Sequence, residues 1–81
     1  METEKNLKLW EKNGFRRVYL NDPEYSDMKV WFSTEGMAGN NVAVHIKRDW
    51  PMDSQTRDML EEIIYSKYAE EAAAMLGGKT I

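Results

Sequence analysis

Aromatic and cationic side chains recur at alternate positions in three segments of the chain, and they are the residues best suited to bind a partner. They are Arg17, Tyr19, Lys29, Trp31, His45 and Lys47. Rings stack on flat groups and cations attract phosphates or carboxylates, so nucleic-acid-binding sheets and protein interfaces both use these residue types. Strands also favour Tyr and Trp for packing, and Lys stems keep an open sheet soluble. The pattern is thus compatible with a partner-binding face and with an ordinary solvated face.

Carboxylates in the long C-terminal segment form a second candidate surface. They are Asp58, Glu61, Glu62 and Glu70, with Glu71 beside them. If this segment is a helix, an acidic face could dock on a basic protein or imitate the phosphates of a nucleic acid. An acidic helix face that simply contacts water is the commoner explanation.

Residues for catalysis or metal binding are scarce. The chain has one histidine, His45, and no cysteine, which leaves little for a histidine-based triad and nothing for a thiolate zinc site. The segment Gly77-Gly78-Lys79-Thr80 is superficially similar to a phosphate-binding loop, but it lacks the preceding strand and following helix. We therefore predict a non-enzymatic protein without a cofactor or metal.

Length and composition predict one globular domain over residues 1–81. Apolar residues make up 42% and charged residues 31% of the chain, as in ordinary soluble proteins. The net charge of −3 argues mildly against a protein whose main task is to hold polyanions. The acidic N-terminus resembles no signal peptide and no apolar run approaches a membrane span, so we expect a cytoplasmic protein without membrane contact.

Three segments show the two-residue period of half-buried strands. The first is Phe15–Leu20; the inward residues of the others are Met28, Val30 and Phe32, then Val42, Val44 and Ile46. Turn-forming residues separate the segments, which predicts a three-stranded antiparallel meander with one apolar face. The six aromatic and cationic residues named above fall on the opposite face.

The expected strand register follows from keeping the apolar face continuous. With Asn21–Asp27 as the first loop, this places Val18 opposite Val30 and Leu20 opposite Met28. The paired outward residues are then Arg17 with Trp31 and Tyr19 with Lys29. In the second hairpin, which turns through Glu35–Asn41, Trp31 lies opposite Ala43 or His45.

Helices are expected on both sides of the strands in sequence. The first is predicted over Thr3–Asn13, ended by Gly14, with Leu7, Trp10 and Phe15 facing the core. The second begins after a cap at Asp53 or Ser54 and ends near Leu76, before Gly77-Gly78. Its predicted apolar stripe is Met59, Leu60, Ile63, Ile64, Tyr68, Ala72, Met75 and Leu76. The predicted fold is α+β, in the order α-β-β-β-α, with both helices on the apolar sheet face.

This order of elements resembles that of double-stranded RNA-binding domains. Those domains hold phosphates with a basic cluster at the start of their last helix. The corresponding segment here, Asp53–Asp58, has a single cation, Arg57, and two acids. The resemblance therefore concerns topology alone, and it does not imply RNA binding.

The function that we expect is that of a small interaction protein that binds a macromolecular partner, most readily a protein, and modulates or inhibits it sterically. By size and charge it is analogous to phage and plasmid accessory proteins, such as anti-CRISPR and anti-restriction inhibitors. Nucleic-acid binding on the outward sheet face is the alternative. Self-association through the Trp31 face also stays open, and Trp50 is a further candidate anchor for a partner.

Overall fold

A computed structural model of the chain describes residues 6–47 and 51–80. Its strands are β1 (Leu7–Lys12), β2 (Phe15–Leu20), β3 (Val30–Ser33) and β4 (Ala43–Ile46), and its helix is α1 (Ser54–Leu76). The strands form one antiparallel sheet in the order β1-β2-β3-β4, and α1 lies across one face of it. The predicted α+β class is confirmed, but the sheet has four strands and the described residues contain no N-terminal helix.

The helix predicted over Thr3–Asn13 is wrong, because Leu7–Lys12 is the edge strand β1. Thr3 itself lies outside the described residues. The misleading feature is the three-residue spacing of Leu7 and Trp10, which a helix would also show. Asn13 and Gly14 have φ of 53° and 83°, the left-handed pair that a two-residue type I′ hairpin requires. These two residues therefore join β1 to β2 instead of ending a helix.

A single core fills the space between the sheet and α1. It contains Leu7, Val18, Leu20, Tyr25, Val30, Phe32, Val42, Ile46, Ile64, Tyr68, Ala69, Ala72, Ala73 and Leu76. The burial of Leu7 confirms its prediction, but Trp10 and Phe15 are 38% and 54% exposed. Because side chains alternate along a strand, Trp10 of β1 and Phe15 of β2 face away from the helix.

The predicted β2–β3 register is wrong by two residues. Val18 lies opposite Phe32 and Tyr19 opposite Trp31, instead of Val30 and Lys29. The connection is longer than expected because Pro23–Tyr25 forms a turn of 3₁₀ helix, with the Asp22 side chain accepting from Glu24 N at 3.0 Å. A shift of two residues moves the pairing along the strand without exchanging its faces, so the predicted inward and outward sets survive.

The other predicted pairs of that hairpin fail for the same reason. Trp31 lies opposite Tyr19 and not Arg17, and Leu20 does not pair with Met28. Met28 precedes β3, which begins at Val30.

In the second hairpin, Trp31 lies opposite His45, which is one of the two expected registers. Gly36, Gly39 and Asn40 adopt positive φ in this turn.

The outer edge of β4 is covered by the C-terminal part of the chain. Val42 N donates to Lys79 O at 2.7 Å, and Lys79 N donates to Asn40 O at 3.0 Å. A Cβ on Gly78 would lie 2.7 Å from Asn40 O, so this close approach requires glycine. Further along the same strand, Ile46 N donates to Glu61 Oε2 of α1 at 3.2 Å.

Helix α1 begins and ends as predicted. The Asp53 side chain caps it by accepting from Thr56 N at 3.3 Å, and Gly77, with φ of 72°, ends it. The predicted apolar stripe is correct for Ile64, Tyr68, Ala72 and Leu76, which are buried, and Leu60 and Met75 pack against the core. Met59 and Ile63, in contrast, are exposed. Ala69 and Ala73, which the predicted stripe did not include, are buried as well.

Two polar anchors tie α1 to the loop and strand on which it packs. Tyr68 Oη donates to the buried Asp22 carboxylate and accepts from Asn6 Nδ2 at 3.0 Å. At the other end, the Arg16 guanidinium donates to Leu76 O and Met75 O, each at 3.1 Å. A cation there complements the free carbonyls at the helix C-terminus.

Within the described parts of the chain, α1 and the shorter helical turns are not long and apolar enough to cross a membrane.

Candidate functional site

The sheet face turned away from α1, called here the outer face, carries the aromatic and cationic residues singled out in the sequence. Arg17 and Tyr19 lie on β2, Trp31 on β3 and His45 on β4. Lys29 directly precedes β3, and Lys47 directly follows β4. The two residues are joined by a hydrogen bond in which Lys47 N donates to Lys29 O at 2.9 Å. The antiparallel pairing thus brings all three segments onto one surface.

Trp31 occupies the middle of this surface and contacts residues from both neighbouring strands. Its ring stacks on His45 of β4, with centroids 5.4 Å apart and planes inclined by 25°. From β2, the Arg17 guanidinium carbon lies 5.9 Å from the Trp31 ring centroid, within range of a cation–π interaction. The indole is therefore held in place by its neighbours before any partner binds.

Arg17 has an acidic partner at the rim of the outer face. Its Nε and Nη2 lie 3.2 and 3.4 Å from the two carboxylate oxygens of Glu35. The hydrogen bond to Glu35 is the largest influence on the guanidinium and raises the pKa of Arg17 further above its ordinary value. This pair fixes the orientation of Arg17 beside Trp31 and neutralises much of its charge.

Lys8 and Trp10 of the outer face were not predicted, because the sequence pattern placed them in a helix. In β1 they lie opposite Tyr19 and Arg17. The Trp10 and Tyr19 rings meet edge to face with centroids 6.4 Å apart. The alternation of Leu7 and Leu9 with Lys8 and Trp10, followed by Asn13-Gly14, is the signal that could have revealed this strand.

The residues around these rings line an open groove of about 780 Å³. Its cationic and aromatic lining residues are Lys8, Trp10, Arg17, Tyr19, Lys29, Trp31 and Lys47. Apolar and neutral polar side chains complete it, including Met28 and Ser26. Among the described residues that line the groove, none carries a carboxylate, although the chain as a whole has a net charge of −3.

His45 forms a hydrogen bond with Ser33 of the neighbouring strand β3. Its Nε2 lies 3.2 Å from Ser33 Oγ, and a Ser–His pair is the nucleophile and base of many acyl-transfer enzymes. Ser33, however, is only 3% exposed, so a substrate carbonyl has no open approach to its oxygen. Burial, followed by the nearby Arg17 charge, lowers the pKa of His45, whereas Glu61 and Glu35 oppose that shift. The arrangement orients a neutral imidazole against Trp31.

The acidic residues of α1 do not act as one uniform surface. Glu61 turns toward the sheet edge, where it accepts from Ile46 N. Asp58, Glu62 and Glu70 are exposed. Since residues in an α-helix are separated by about 100°, Glu62 and Glu70 point in directions about 80° apart. Glu62 also lies beside the exposed apolar residues Met59 and Ile63, where a second, smaller concavity forms.

Within residues 6–47 and 51–80, no group of three or more His, Cys, Asp or Glu side chains is arranged to hold a metal ion. Trp50, the other residue considered as a partner anchor, lies outside the described residues.

Comparisons with protein families, with curated proteins and with solved structures found no match to this chain.

Proposed function

We propose that this chain is a non-enzymatic interaction protein that binds a protein partner through its outer sheet face and modulates that partner sterically. The observation that carries the proposal is the position of Trp31, held between His45 and Arg17 in a cation-lined groove. Trp and Arg are the residue types most enriched where protein interfaces concentrate their binding energy. An anchor already fixed in one orientation loses little side-chain entropy on binding.

The contacts of Trp31 favour a protein over a nucleic acid. A base that stacks on a sheet needs a ring face open to it. Here the neighbours of Trp31 approach from β4 on one side and β2 on the other, which leaves mainly the outward ring edge for a partner. An apolar pocket on a protein can accommodate such an edge, and the groove cations would pair with carboxylates around it.

Steric inhibition suits a chain of this size. The molecule measures 38 × 31 × 25 Å over its described residues, and one sheet face can cover a standard interface of about 800 Å² per partner. A phage or plasmid accessory protein, such as an anti-CRISPR or anti-restriction inhibitor, would act in this way by covering a working surface of its target. This biological setting is part of the proposal and rests on size and charge.

The test is affinity capture from a nuclease-treated native lysate, followed by purification of the captured protein and a direct binding measurement. We expect Trp31→Ala to weaken the direct interaction by tenfold or more, because an interface anchor is typically worth at least about 2 kcal/mol.

Ile63→Ala is the control, because it removes an exposed apolar side chain from the helix side of the molecule. This variant should bind like wild type. Equal binding by wild type and Trp31→Ala, with the fold intact by circular dichroism, would exclude the outer face as the site.

Nucleic-acid binding is the second candidate, and the cationic lining of the groove favours it. Lys8, Lys29 and Lys47 line the groove along with Arg17. If this alternative holds, single-stranded DNA or RNA will bind with an affinity that falls steeply with salt, and Lys29→Glu with Lys47→Glu will abolish binding. Absence of binding at low salt, or binding that survives both substitutions, would eliminate it.

A further inference from the structure

The two edges of the sheet differ in how they are protected. The edge at β4 is covered by Lys79 and by Glu61. The edge at β1 is six residues long, and no strand pairs with its outer side among the described residues. An unpaired strand edge offers a row of backbone donors and acceptors to another chain.

The hairpin geometry shows which backbone groups are directed outward. In a two-residue hairpin, the residues flanking the turn, Lys12 and Phe15, form a hydrogen-bonded pair, and such pairs then alternate along the ladder. The bond from Asn21 N to Asn6 O, at 2.6 Å, fits the same alternation. The N–H and C=O groups of Leu7, Leu9 and Glu11 therefore point away from β2.

We infer that β1 pairs antiparallel with β1 of a second copy of this chain, about a twofold axis at Leu9. Leu9 then exchanges both backbone hydrogen bonds with its own copy, and Leu7 and Glu11 exchange theirs with each other. The assembly stops at two subunits, because the pairing uses the β1 edge of both copies and leaves neither of these edges unpaired. It joins two sheets into a continuous sheet of eight strands, twice the four of one chain.

The outward side chains of β1 select this register. Lysines on an edge strand normally oppose pairing. With the axis at Leu9, each Lys8 lies opposite Trp10 of the other copy, which allows a cation–π contact across the interface. An axis at Lys8 would oppose two lysines, and an axis at Trp10 would set Lys8 against Lys12. Of these three registers, only the one centred on Leu9 sets Lys8 opposite an aromatic ring, and it covers the 38% exposed Trp10 ring.

The interface shares Lys8 and Trp10 with the groove of the outer face but does not include the proposed anchor Trp31, and it can be measured on the isolated protein. Because six-residue edges bury little area, we expect a reversible dimer. Its sedimentation-equilibrium mass should rise from 9.5 kDa toward twice that value as concentration increases.

A matched pair of substitutions at Glu11 tests the backbone pairing. Glu11→Pro removes a backbone N–H that points away from β2. The hydrogen bonds between β1 and β2 do not use this group, so the substitution removes a donor from the proposed dimer contact alone. It also removes the ion pair with Arg16, whose Nε lies 3.1 Å from Glu11 Oε2. Glu11→Ala removes the same ion pair and keeps the N–H. We expect Glu11→Pro to be monomeric and Glu11→Ala to dimerise like wild type; equal behaviour of the two would overturn the pairing.

The register is tested by cysteine cross-linking, which is clean because the chain has no cysteine of its own. Lys8→Cys and Trp10→Cys should form a mixed disulfide when the two proteins are combined under mild oxidation, since opposed residues of this kind lie about 4.5 Å apart at Cα. Each variant alone should cross-link at least tenfold less. Cross-linking of Lys8→Cys alone to the same extent, or a wild-type mass that stays at 9.5 kDa at the highest soluble concentration, would refute the inference.

Discussion

At the scale of single residues, polar side chains in this protein hold the ring cluster and the helix in place. Asp22 is buried and accepts from Tyr68 Oη and from Glu24 N. Lys67 Nζ lies 3.8 Å from Asp22 Oδ2, the oxygen that also accepts from Tyr68 Oη. A buried carboxylate is costly without such partners, so the loop that contains Asp22 is bound to α1 through this group.

Tyr68→Phe should lower the free energy of unfolding by about 1–2 kcal/mol at neutral pH, because the Asp22 carboxylate loses a donor in a buried place. The measurement is urea denaturation of both proteins as a function of pH. The Tyr68 hydroxyl is the main cause that lowers the pKa of Asp22, followed by the Glu24 N–H.

The sign of the pH dependence follows from that lowered pKa. Stabilisation by ionised Asp22 is complete above the unfolded pKa of about 3.9 and is lost as the pH falls through the lower folded value. The difference between wild type and Tyr68→Phe should therefore shrink below about pH 4. A difference that is constant at all pH values would contradict this assignment.

His45 should titrate below its ordinary pKa of 6.5, because burial and then Arg17 disfavour the imidazolium. It is the chain's single histidine, so one imidazole ring resonance in a proton NMR titration reports it. Stability gained by keeping His45 neutral is present above 6.5 and is lost as the pH falls through the lower folded value.

The control for this titration is Glu61→Gln. Glu61 raises the pKa of His45, so its neutralisation should move the titration midpoint further down. The amide oxygen can still accept from Ile46 N, which preserves the edge contact. A wild-type midpoint at or above 6.5 would show that His45 is more open to water than its packing against Trp31 indicates.

At the scale of elements, short turns decide how the strands are joined. The Asn13-Gly14 turn folds β1 back on β2 and adds Lys8 and Trp10 to the outer face. The longer connection through Pro23–Tyr25 sets the β2–β3 register. The outer face therefore depends on the geometry of these two connections, and the longer one also contributes Ser26, Met28 and Lys29 to the groove.

Gly14→Ala should destabilise the protein by about 1 kcal/mol, because the left-handed conformation that Gly14 adopts, with φ of 83°, is unfavourable for a residue with a Cβ. Among the described residues, apart from the two chain neighbours, no atom lies within 4 Å of the added methyl group, so the cost is conformational. Urea denaturation measures it. Lys12→Ala, on the exposed end of β1, is the control and should stay within about 0.5 kcal/mol of wild type. Equal stabilities for Gly14→Ala and wild type would argue against this turn.

At the scale of the whole molecule, one face of the sheet is buried against α1 and the other is exposed to solvent. All the core side chains lie between the sheet and α1, so helix and sheet depend on each other for stability. The outer face remains free to carry cations and rings, while most carboxylates of the C-terminal half project from α1. This separation of charge is what allows an acidic chain to offer a cationic groove.

Ile64→Ala should lower the free energy of unfolding by about 2–5 kcal/mol, out of about 4–12 kcal/mol expected for a chain of 81 residues. Circular dichroism and tryptophan fluorescence should report one shared transition. The neighbouring Ile63→Ala removes the same atoms from a side chain that is 50% exposed, and it should cost no more than about 0.5 kcal/mol. Similar losses in the two variants would contradict the orientation of α1.

Local sequence was enough to predict the strands β2 and β4, the long helix with a cap at Asp53 or Ser54 and an end before Gly77, and the inward and outward sets of β2, β3 and β4. These features rest on local periodicity and on backbone chemistry that a short segment already contains. The same periodicity, read without a partner strand, did not distinguish β1 from a short helix. Leu7 and Trp10 fit both, and only pairing with β2 decides between them.

Tertiary structure decided the pairing partners and the direction in which α1 faces. The register of β2 on β3 depends on the length of a structured turn, so two registers with the same faces look alike in the sequence. Which isoleucine of the Ile63-Ile64 pair is buried depends on where the helix rests on the sheet. The contacts of Trp31 with His45 and Arg17 join residues from three strands, and no local pattern specifies them. Long-range packing selects among arrangements that local preferences leave equal in energy.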